Sequence, residues 1–201
     1  MQNKIKEIIA QEVKAISNIP ISNSFEKAVL IIKEQVHNKN GKVITSGMGK
    51  AGQIAINIAT TLSSTGTPSV FIHPSEAQHG DLGAMQENDV LLLVSNSGKT
   101  REVLEMFELS KNLYGNTKVI VIASTTNCPL ANNADVAIST GNPKEVCPLG
   151  LSPTTSTTAM TVIGDILVVL LMQEIGFNKE QYAKRHHGGY LGQKSRGEFR
   201  K

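Results

Sequence analysis

The 201-residue sequence has no tryptophan, and aromatic residues make up only 4% of it. Stacking platforms for single-stranded nucleic acid or for sugar rings are built from aromatic side chains, so their scarcity argues against both. The sequence also lacks a strong charge of either sign, since 20 basic and 17 acidic residues give a net charge of +3. This balance does not require a nucleic-acid or membrane partner, and we expect neither.

Cysteine is scarce as well, with only Cys128 and Cys147 present. Their spacing matches no metal-ligand pattern and indicates no disulfide framework, which fits a reducing compartment. The N-terminus has no apolar signal-peptide core. The most hydrophobic segment, residues 159–172, is interrupted by Gly164 and Asp165. It is too short to span a bilayer, so it predicts a buried helix in a cytoplasmic chain.

Short aliphatic runs alternate with helical periodicity along the chain. The run Val90–Val94 is too short for an ordinary helix and suits a strand buried on both faces. Strands and helices alternate five times, which predicts an α/β fold with a doubly wound, five-stranded parallel sheet flanked by helices. The length suits one domain. We expect it over residues 1–193, with residues 194–201 as a basic, disordered tail.

The run Val90–Val94 is followed by a turn rich in hydroxyl groups, Ser95-Asn-Ser-Gly-Lys-Thr100. Thr100 is a good N-cap for a helix over residues 101–114. Hydroxyl donors, free amides and the positive end of the helix dipole would converge there, which favours phosphate binding. The alternative is an ordinary strand-to-helix turn that uses Ser and Thr only as caps. The helix would bury one apolar side, formed by Val103, Leu104, Phe107 and Leu113.

Residues 47–52 satisfy the pattern G-x-G-x-x-G between a strand and a helix, which invites a dinucleotide interpretation. The acidic residue that would bind a ribose is missing from the end of the next strand, and Lys50 is unusual in a pyrophosphate turn. Lys50 would, however, be useful beside a sugar phosphate. The pattern therefore argues more for a sugar phosphate than for a dinucleotide.

Titratable side chains are dense between His73 and Gly83, where His79, Glu76 and Asp81 also occur. No helical metal-ligand spacing is present, so we predict no metal site. A solvated loop is the plain interpretation, and a substrate loop is the functional one. Three further candidates, each of which alone would be taken for a solvated surface group, are Glu102, Glu145 and His186.

Five segments together resemble one family. They are Ser46-Gly-Met-Gly-Lys50, His73-Pro-Ser-Glu-Ala-Gln-His-Gly-Asp-Leu82, Ser95-Asn-Ser-Gly-Lys-Thr100, Cys147-Pro-Leu-Gly-Leu-Ser-Pro-Thr-Thr-Ser-Thr-Thr158 and His186-His-Gly-Gly-Tyr-Leu-Gly192. The chain resembles the sugar isomerase (SIS) domains, and among them the arabinose-5-phosphate isomerases. The hydroxyl-rich turn alone indicates only the superfamily, whereas the other four in this order are more specific.

The resemblance implies a homotetramer with shared sites that interconverts D-arabinose 5-phosphate and D-ribulose 5-phosphate for Kdo and lipopolysaccharide synthesis. It implies no cofactor, and we expect none of the paired CBS modules that many members carry. The direction of flux and any regulator remain open. The implied substrate-binding residues are Ser46, Gly47, Ser95, Asn96, Ser97 and Thr100. The implied catalytic residues are Lys50, His79, Glu102, Glu145 and His186. The family usually has a proline where this sequence has His187, so either histidine could act.

These residue types suit aldose–ketose isomerisation. The reaction moves a proton between C1 and C2 through an enediol(ate), so it needs an acid–base group and a donor or cation at the developing oxyanion. Glutamate and histidine supply the first, and Lys50 can supply the second. Which of Glu102, Glu145 and His186 is the base stays open. The alternatives are another sugar-phosphate isomerase of this fold and a non-catalytic sugar-phosphate sensor.

Overall fold

A computed structural model describes residues 1–197 and contains a sheet of five parallel strands. The strand order is β2-β1-β3-β4-β5, so the chain reverses its direction of winding after β2. This topology confirms the predicted doubly wound α/β fold. The strands are β1 Val43–Gly47, β2 Ser69–Phe71, β3 Val90–Val94, β4 Lys118–Ala123 and β5 Val136–Ser139.

Helices cover both faces of the sheet, because parallel neighbours need crossover connections. One core layer lies between the sheet and helices α2, α3 and α7, and the other lies beneath α4, α5 and α6. A π-helical segment, Lys33–Asn38, continues α2, and a 3₁₀ turn, Asp81–Ala84, follows α4. The helices are α1 Gln2–Ser17, α2 Ser24–Ile32, α3 Gly49–Ser64, α4 Pro74–Ala77, α5 Arg101–Leu113, α6 Pro129–Asn132, α7 Thr155–Glu174, α8 Lys179–Ala183 and α9 Gly189–Ser195.

The apolar side of helix α5 was predicted incorrectly at one position. Val103 and Phe107 are buried as predicted, but Leu113 is 46% exposed. Met106, which is fully buried, completes the apolar face instead. Leu113 is the last residue of α5, where the helix has already run past the sheet. The prediction for Leu113 was therefore wrong.

Two segments that we predicted to be irregular contain helices. The polar loop from His73 to Gly83 contains α4, which begins at Pro74, and most of a 3₁₀ turn. Helix α9 begins within the glycine-rich tail and includes Lys194 and Ser195, which we had assigned to a disordered end. These short helices carry too few apolar residues for a periodic signal. Residues 198–201 of that end lie outside the described residues.

Helix α7 has 20 residues, and its length and composition would allow it to cross a membrane. The sequence interpretation that this segment is too short therefore does not hold for the whole helix. Half of its most apolar window is buried inside the chain, with Ala159, Ile163 and Leu167 in the core. Gly164 lets α3 approach closely, since a Cβ there would lie 2.6 Å from Ile58 Cγ1. Core packing accounts for this hydropathy.

Helix α1 carries an apolar stripe at helical spacing, but it contributes none of the buried residues among those the structure describes. The stripe is covered only near its C-terminal end, where α1 contacts α7. Its other apolar members are 45–57% exposed, and they are Ile5, Ile8, Ile9 and Val13. An exposed apolar stripe of this size is a type of surface at which proteins often associate.

A buried carboxylate lies at the end of the sheet that is opposite the polar turns. Asp89 is 1% exposed and accepts hydrogen bonds from the amides of Lys42 (2.8 Å) and Gln86 (2.7 Å). The Lys42 ammonium completes the set at 2.6 Å. These three donors join β1 to β3 before either strand begins.

We expect Asp89→Ala to lower the free energy of unfolding by about 3–5 kcal/mol, because it leaves the ammonium of Lys42 and the amides of Lys42 and Gln86 without their acceptor. Chemical denaturation measures the change. Glu174→Ala is the matched control, since its ion pair with Lys33 is largely exposed and should contribute at most about 1 kcal/mol. Equal effects of the two substitutions would contradict the assignment.

Candidate active site

The turn after β3 is held rigidly by its neighbours. The amide of Ser95 donates to the Ile122 carbonyl at 3.0 Å, and the amide of Ser124 donates to the Asn96 carbonyl at 2.9 Å. Gly98 has a φ of +60°, and any Cβ there would overlap the sulfur of Cys128. A residue with a side chain is thus excluded at Gly98 both by conformation and by space.

The hydrogen-bond donors of this turn are partly used within it, since the amide of Lys99 donates to Ser97 Oγ at 3.1 Å and that of Gly98 to the Ser95 carbonyl at 3.2 Å. Thr100 is the N-cap residue of α5, as predicted, but its hydroxyl does not cap the helix amides. It lies 3.1 Å from Ser95 Oγ instead. Within residues 1–197, the first-turn amides of α5 therefore have no side-chain acceptor. Open amides, hydroxyls and the positive end of a helix dipole are features that favour anion binding.

A cleft of about 230 Å³ lies in front of this turn. It is smaller than the roughly 300–1,000 Å³ of sites for drug-sized ligands, so it suits a small metabolite rather than a dinucleotide. Lys50, in the first turn of α3, contributes a cation to it. The other lining residues are Met48, Ala51, Val94, Ser95, Asn96, Ser97, Thr100, Pro153, Ser156, Thr157 and Met160.

The glycines of the G-x-G-x-x-G pattern serve close packing. A Cβ at Gly52 would lie 2.5 Å from the carbonyl oxygen of Gly47, and one at Gly47 would lie 2.7 Å from that of Val94. Ser46 is fully buried, and its hydroxyl donates to the Ile72 carbonyl at 2.6 Å. Ser46 thus joins β1 to the end of β2, and Gly47 lets α3 approach β1 closely. We predicted both residues to bind substrate, but neither lines the cleft.

Glu145 lies at the N-terminus of α7. Its Oε2 accepts hydrogen bonds from the amide and hydroxyl of Thr154, at 2.7 and 2.8 Å, and from the amide of Ser156 at 3.3 Å. Burial raises the pKa of Glu145, but the donors of Ser156 and Thr154 outweigh burial and hold its pKa below the ordinary 4.5. Glu145 is therefore ionised at neutral pH and sits directly behind cleft residue Ser156.

The remaining predicted catalytic residues lie outside the cleft of one chain. His79 is exposed between α4 and the 3₁₀ turn, and Glu102 is half-buried in the first turn of α5. The ring of His186 stacks on Tyr182 at 3.7 Å, and the neighbouring His187 is exposed. Among the residues described, none after Met160 lines the cleft.

Sequence reasoning missed the two hydroxyl residues Ser156 and Thr157 of the cleft lining. They belong to the first turn of α7, whose N-terminus faces the cleft alongside those of α3 and α5. A dense run of hydroxyl residues before an apolar helix is the signal that could have identified them. The run had been used only as a family motif.

A wider depression of about 490 Å³ lies between α3 and the edge strand β2, and it is a weaker candidate. Its hydroxyls are already used within the chain. Thr60 donates to the carbonyls of Ile56 and Asn57, and Ser63 donates to the carbonyl of Ser69. Hydroxyls engaged in this way are poorly placed to bind a polar ligand.

Comparison with known proteins agrees with this geometry. A family profile described as SIS domain matches residues 35–170. The chain belongs to the SIS domain family. The matched segment runs from the π-helical turn to α7 and includes every element that lines the cleft.

Relatives of this SIS domain include proteins of known structure. A Bacteroides fragilis protein, described as a proposed phosphosugar isomerase involved in capsule formation, is 62% identical. The alignment covers 94% of this chain and 99% of that one, with a TM-score of 0.93. An Escherichia coli CFT073 protein solved in complex with arabinose 5-phosphate is 35% identical, over 90% of this chain and 95% of that one, with a TM-score of 0.81.

A curated relative is the arabinose 5-phosphate isomerase KdsD of Yersinia pestis, which is 43% identical over 176 residues. The alignment covers 87% of this SIS domain chain but 51% of the relative. The Francisella tularensis protein of the same name is 40% identical, over 96% of this chain and 58% of that one. The chain thus spans about half the length of the curated relatives it matches.

We expect Ser97→Ala to weaken binding of inorganic phosphate by about 1–3 kcal/mol, the cost of losing a hydrogen bond to a charged group. The measurement is the rise in melting temperature with phosphate concentration. The matched control is Ser63→Ala, which removes a hydroxyl from the wider depression and should leave the effect of phosphate unchanged. If phosphate raises the melting temperature of Ser97→Ala as much as that of the wild type, this turn is not part of the binding site.

We expect the effect of Glu145→Gln on stability to depend on pH. Because the folded-state pKa lies below 4.5, the ionised carboxylate stabilises the fold above pH 4.5, and this contribution is lost as the pH falls through the folded-state pKa. The variant should be less stable by roughly 1–2 kcal/mol at pH 7. The difference should shrink below pH 4.5 in denaturation curves. Exposed Glu87→Gln is the control, and an equal loss at every pH would contradict the assignment.

Proposed function

We propose that this SIS domain interconverts D-arabinose 5-phosphate and D-ribulose 5-phosphate. The observation that carries the proposal is the open hydroxyl turn at the N-terminus of α5, which faces Lys50 across a cleft of metabolite size. The relatives support this choice of substrate, since one is named arabinose 5-phosphate isomerase and another was solved with arabinose 5-phosphate bound. Since the curated relatives are about twice as long, the activity of this chain is a proposal.

The phosphate binds to the turn Ser95–Thr100, and the open sugar chain extends towards Lys50 and the first turn of α7. In the aldose-to-ketose direction, a base removes the proton from C2, and the electrons move to the C1 carbonyl oxygen. The ammonium of Lys50 stabilises the resulting enediolate. Transfer of the O2 proton to O1 and protonation of C1 then give the ketose, so no redox cofactor takes part.

The proton-transfer groups come from Glu102, Glu145 and His186, with His79 as a further acid–base group. Of these four residues, Glu145 alone is connected to the cleft within one chain, because it accepts the amide of Ser156, which lines the cleft. We therefore propose a homotetramer in which the C-terminal segment of one subunit completes the site of another. The uncovered apolar stripe of α1 supports association, because exposed patches of this kind mark protein interfaces.

We place the reaction in the cytoplasm and upstream of Kdo and lipopolysaccharide synthesis. A doubly charged sugar phosphate does not cross a bilayer, so its isomerisation is expected where it is made and used. Residues 1–193 are proposed to act as one SIS domain. The arabinose 5-phosphate isomerase names of the curated relatives support the pathway.

The decisive experiment incubates the protein with D-ribulose 5-phosphate in D₂O and analyses the aldose. We expect D-arabinose 5-phosphate that carries deuterium at C2. Glu102→Gln, Glu145→Gln and His186→Asn should be compared, and loss of the base should lower turnover by roughly 10²–10⁴-fold with a smaller change in binding.

Three results would change the proposal. If all three variants still incorporate deuterium at C2 at the normal rate, the base is another residue, and His79 is the next candidate. Formation of ribose 5-phosphate would change only the substrate. If phosphate raises the melting temperature but no isomerisation occurs, the result would favour a sugar-phosphate sensor.

Assembly is tested by complementation. His186→Ala and Glu102→Ala chains should each be inactive, and refolding them together should restore part of the activity if the two groups reach one site from different subunits. Light scattering should give four times the mass of the chain. A fully active monomer would exclude shared sites.

A further inference from the structure

Glu12 occupies an unexpected position in α1. It lies at helical spacing from Ile8, Ile9 and Ile16, and so at the centre of the apolar stripe. The part of the stripe that packs against the chain consists of Glu12, Ala15 and Ile16, which are half-buried where α1 contacts α7. A carboxylate at the centre of this contact needs an explanation other than packing.

The explanation begins with Thr155, the first residue of α7, which is 1% exposed. Its hydroxyl donates to Glu12 Oε1 at 2.8 Å and accepts a hydrogen bond from the amide of Val146 at 3.1 Å. Within residues 1–197, Glu12 forms no ion pair, and its Oε2 is buried without a hydrogen-bond partner. An unpaired, half-buried carboxylate costs free energy, so an aliphatic side chain would make the more stable stripe.

The contact continues from Thr155 to the cleft. Val146 directly follows Glu145, whose carboxylate receives the amides of Thr154 and Ser156. Ser156 in turn lines the cleft. Residues 145 and 146 are therefore held against the first turn of α7 by two sets of hydrogen bonds, and Glu12 orients the hydroxyl that makes one of them.

We propose that Glu12 is a positioning residue, which acts through Thr155 to fix Glu145 and Ser156 at the cleft. It does not touch the substrate. The proposal rests on the proposed function in so far as Glu145 and Ser156 serve the isomerisation. Misplacing a catalytic group by about 1 Å can cost a factor of 10² in rate, so one distant acceptor can matter.

The kinetic test uses Glu12→Leu and Thr155→Val. Each should lower kcat by roughly 10–100-fold and change KM less. The double variant should fall no further than Thr155→Val, because that substitution already removes the bond to Glu12 together with the acceptor of the Val146 amide. Glu12→Leu should leave the melting temperature unchanged or raise it, since leucine completes the stripe. Glu12→Gln, which keeps an acceptor oxygen, should retain most of the activity. Glu7→Leu, an exposed position on the same helix, is the control and should behave like the wild type.

A second readout does not depend on activity. In Glu12→Leu, hydrogen exchange of the amides of Val146 and Ser156 should become about tenfold faster, while that of the interior of α7 should not change. Unchanged exchange at Val146, or a normal kcat, would overturn the proposal. A loss of kcat that only follows a loss of melting temperature would overturn it as well. An inactive wild type would count against the proposed function alone, because the exchange measurement still decides the role of Glu12.

Discussion

The amides in the first turn of α5 have no side-chain acceptor among the described residues, and the site depends on their staying open. The comparable turn of α7 is closed, because Glu145 supplies a carboxylate to it. The positive end of α7 is therefore neutralised by a carboxylate of the same chain, whereas that of α5 remains available to an anion from solution. The contact between Gly98 and Cys128 and the anchoring of the turn to β4 keep that open end in place. Selective capping thus leaves the first turn of α5, rather than that of α7, open to an acceptor from outside the chain.

Much of this arrangement follows from sequence pattern alone. The bounds of β3 agree with the prediction, because an unbroken aliphatic run between polar turns has no other stable place than the middle of a parallel sheet. The hydroxyl turn after β3 was predicted for the same reason. Leu113 was misplaced because periodicity does not tell where a helix outruns the sheet beneath it. Helix α9 was missed because a segment rich in glycine gives no periodic signal.

The site was harder to predict than the fold. Lys50, Ser95, Asn96, Ser97 and Thr100 lie together because strand ends and helix starts meet at one edge. Glu102, His79 and His186 remain outside the cleft of one chain, since their meeting would depend on contacts between subunits that no local pattern encodes. Glu12 and Ser156 escaped notice because their significance arises from packing between α1 and α7, far apart in sequence.

The two edges of the sheet are unusually brief. Strand β2 has three residues and β5 has four, and they are the outermost strands. An exposed edge offers unpaired amides and carbonyls to any other extended chain, so long edges invite aggregation and short ones give an incoming strand little to pair with. Assembly of this protein by pairing of strands at the sheet edges is therefore disfavoured. Any association between copies would therefore use helix surfaces, where side-chain shape selects the partner and registers that do not fit are rejected.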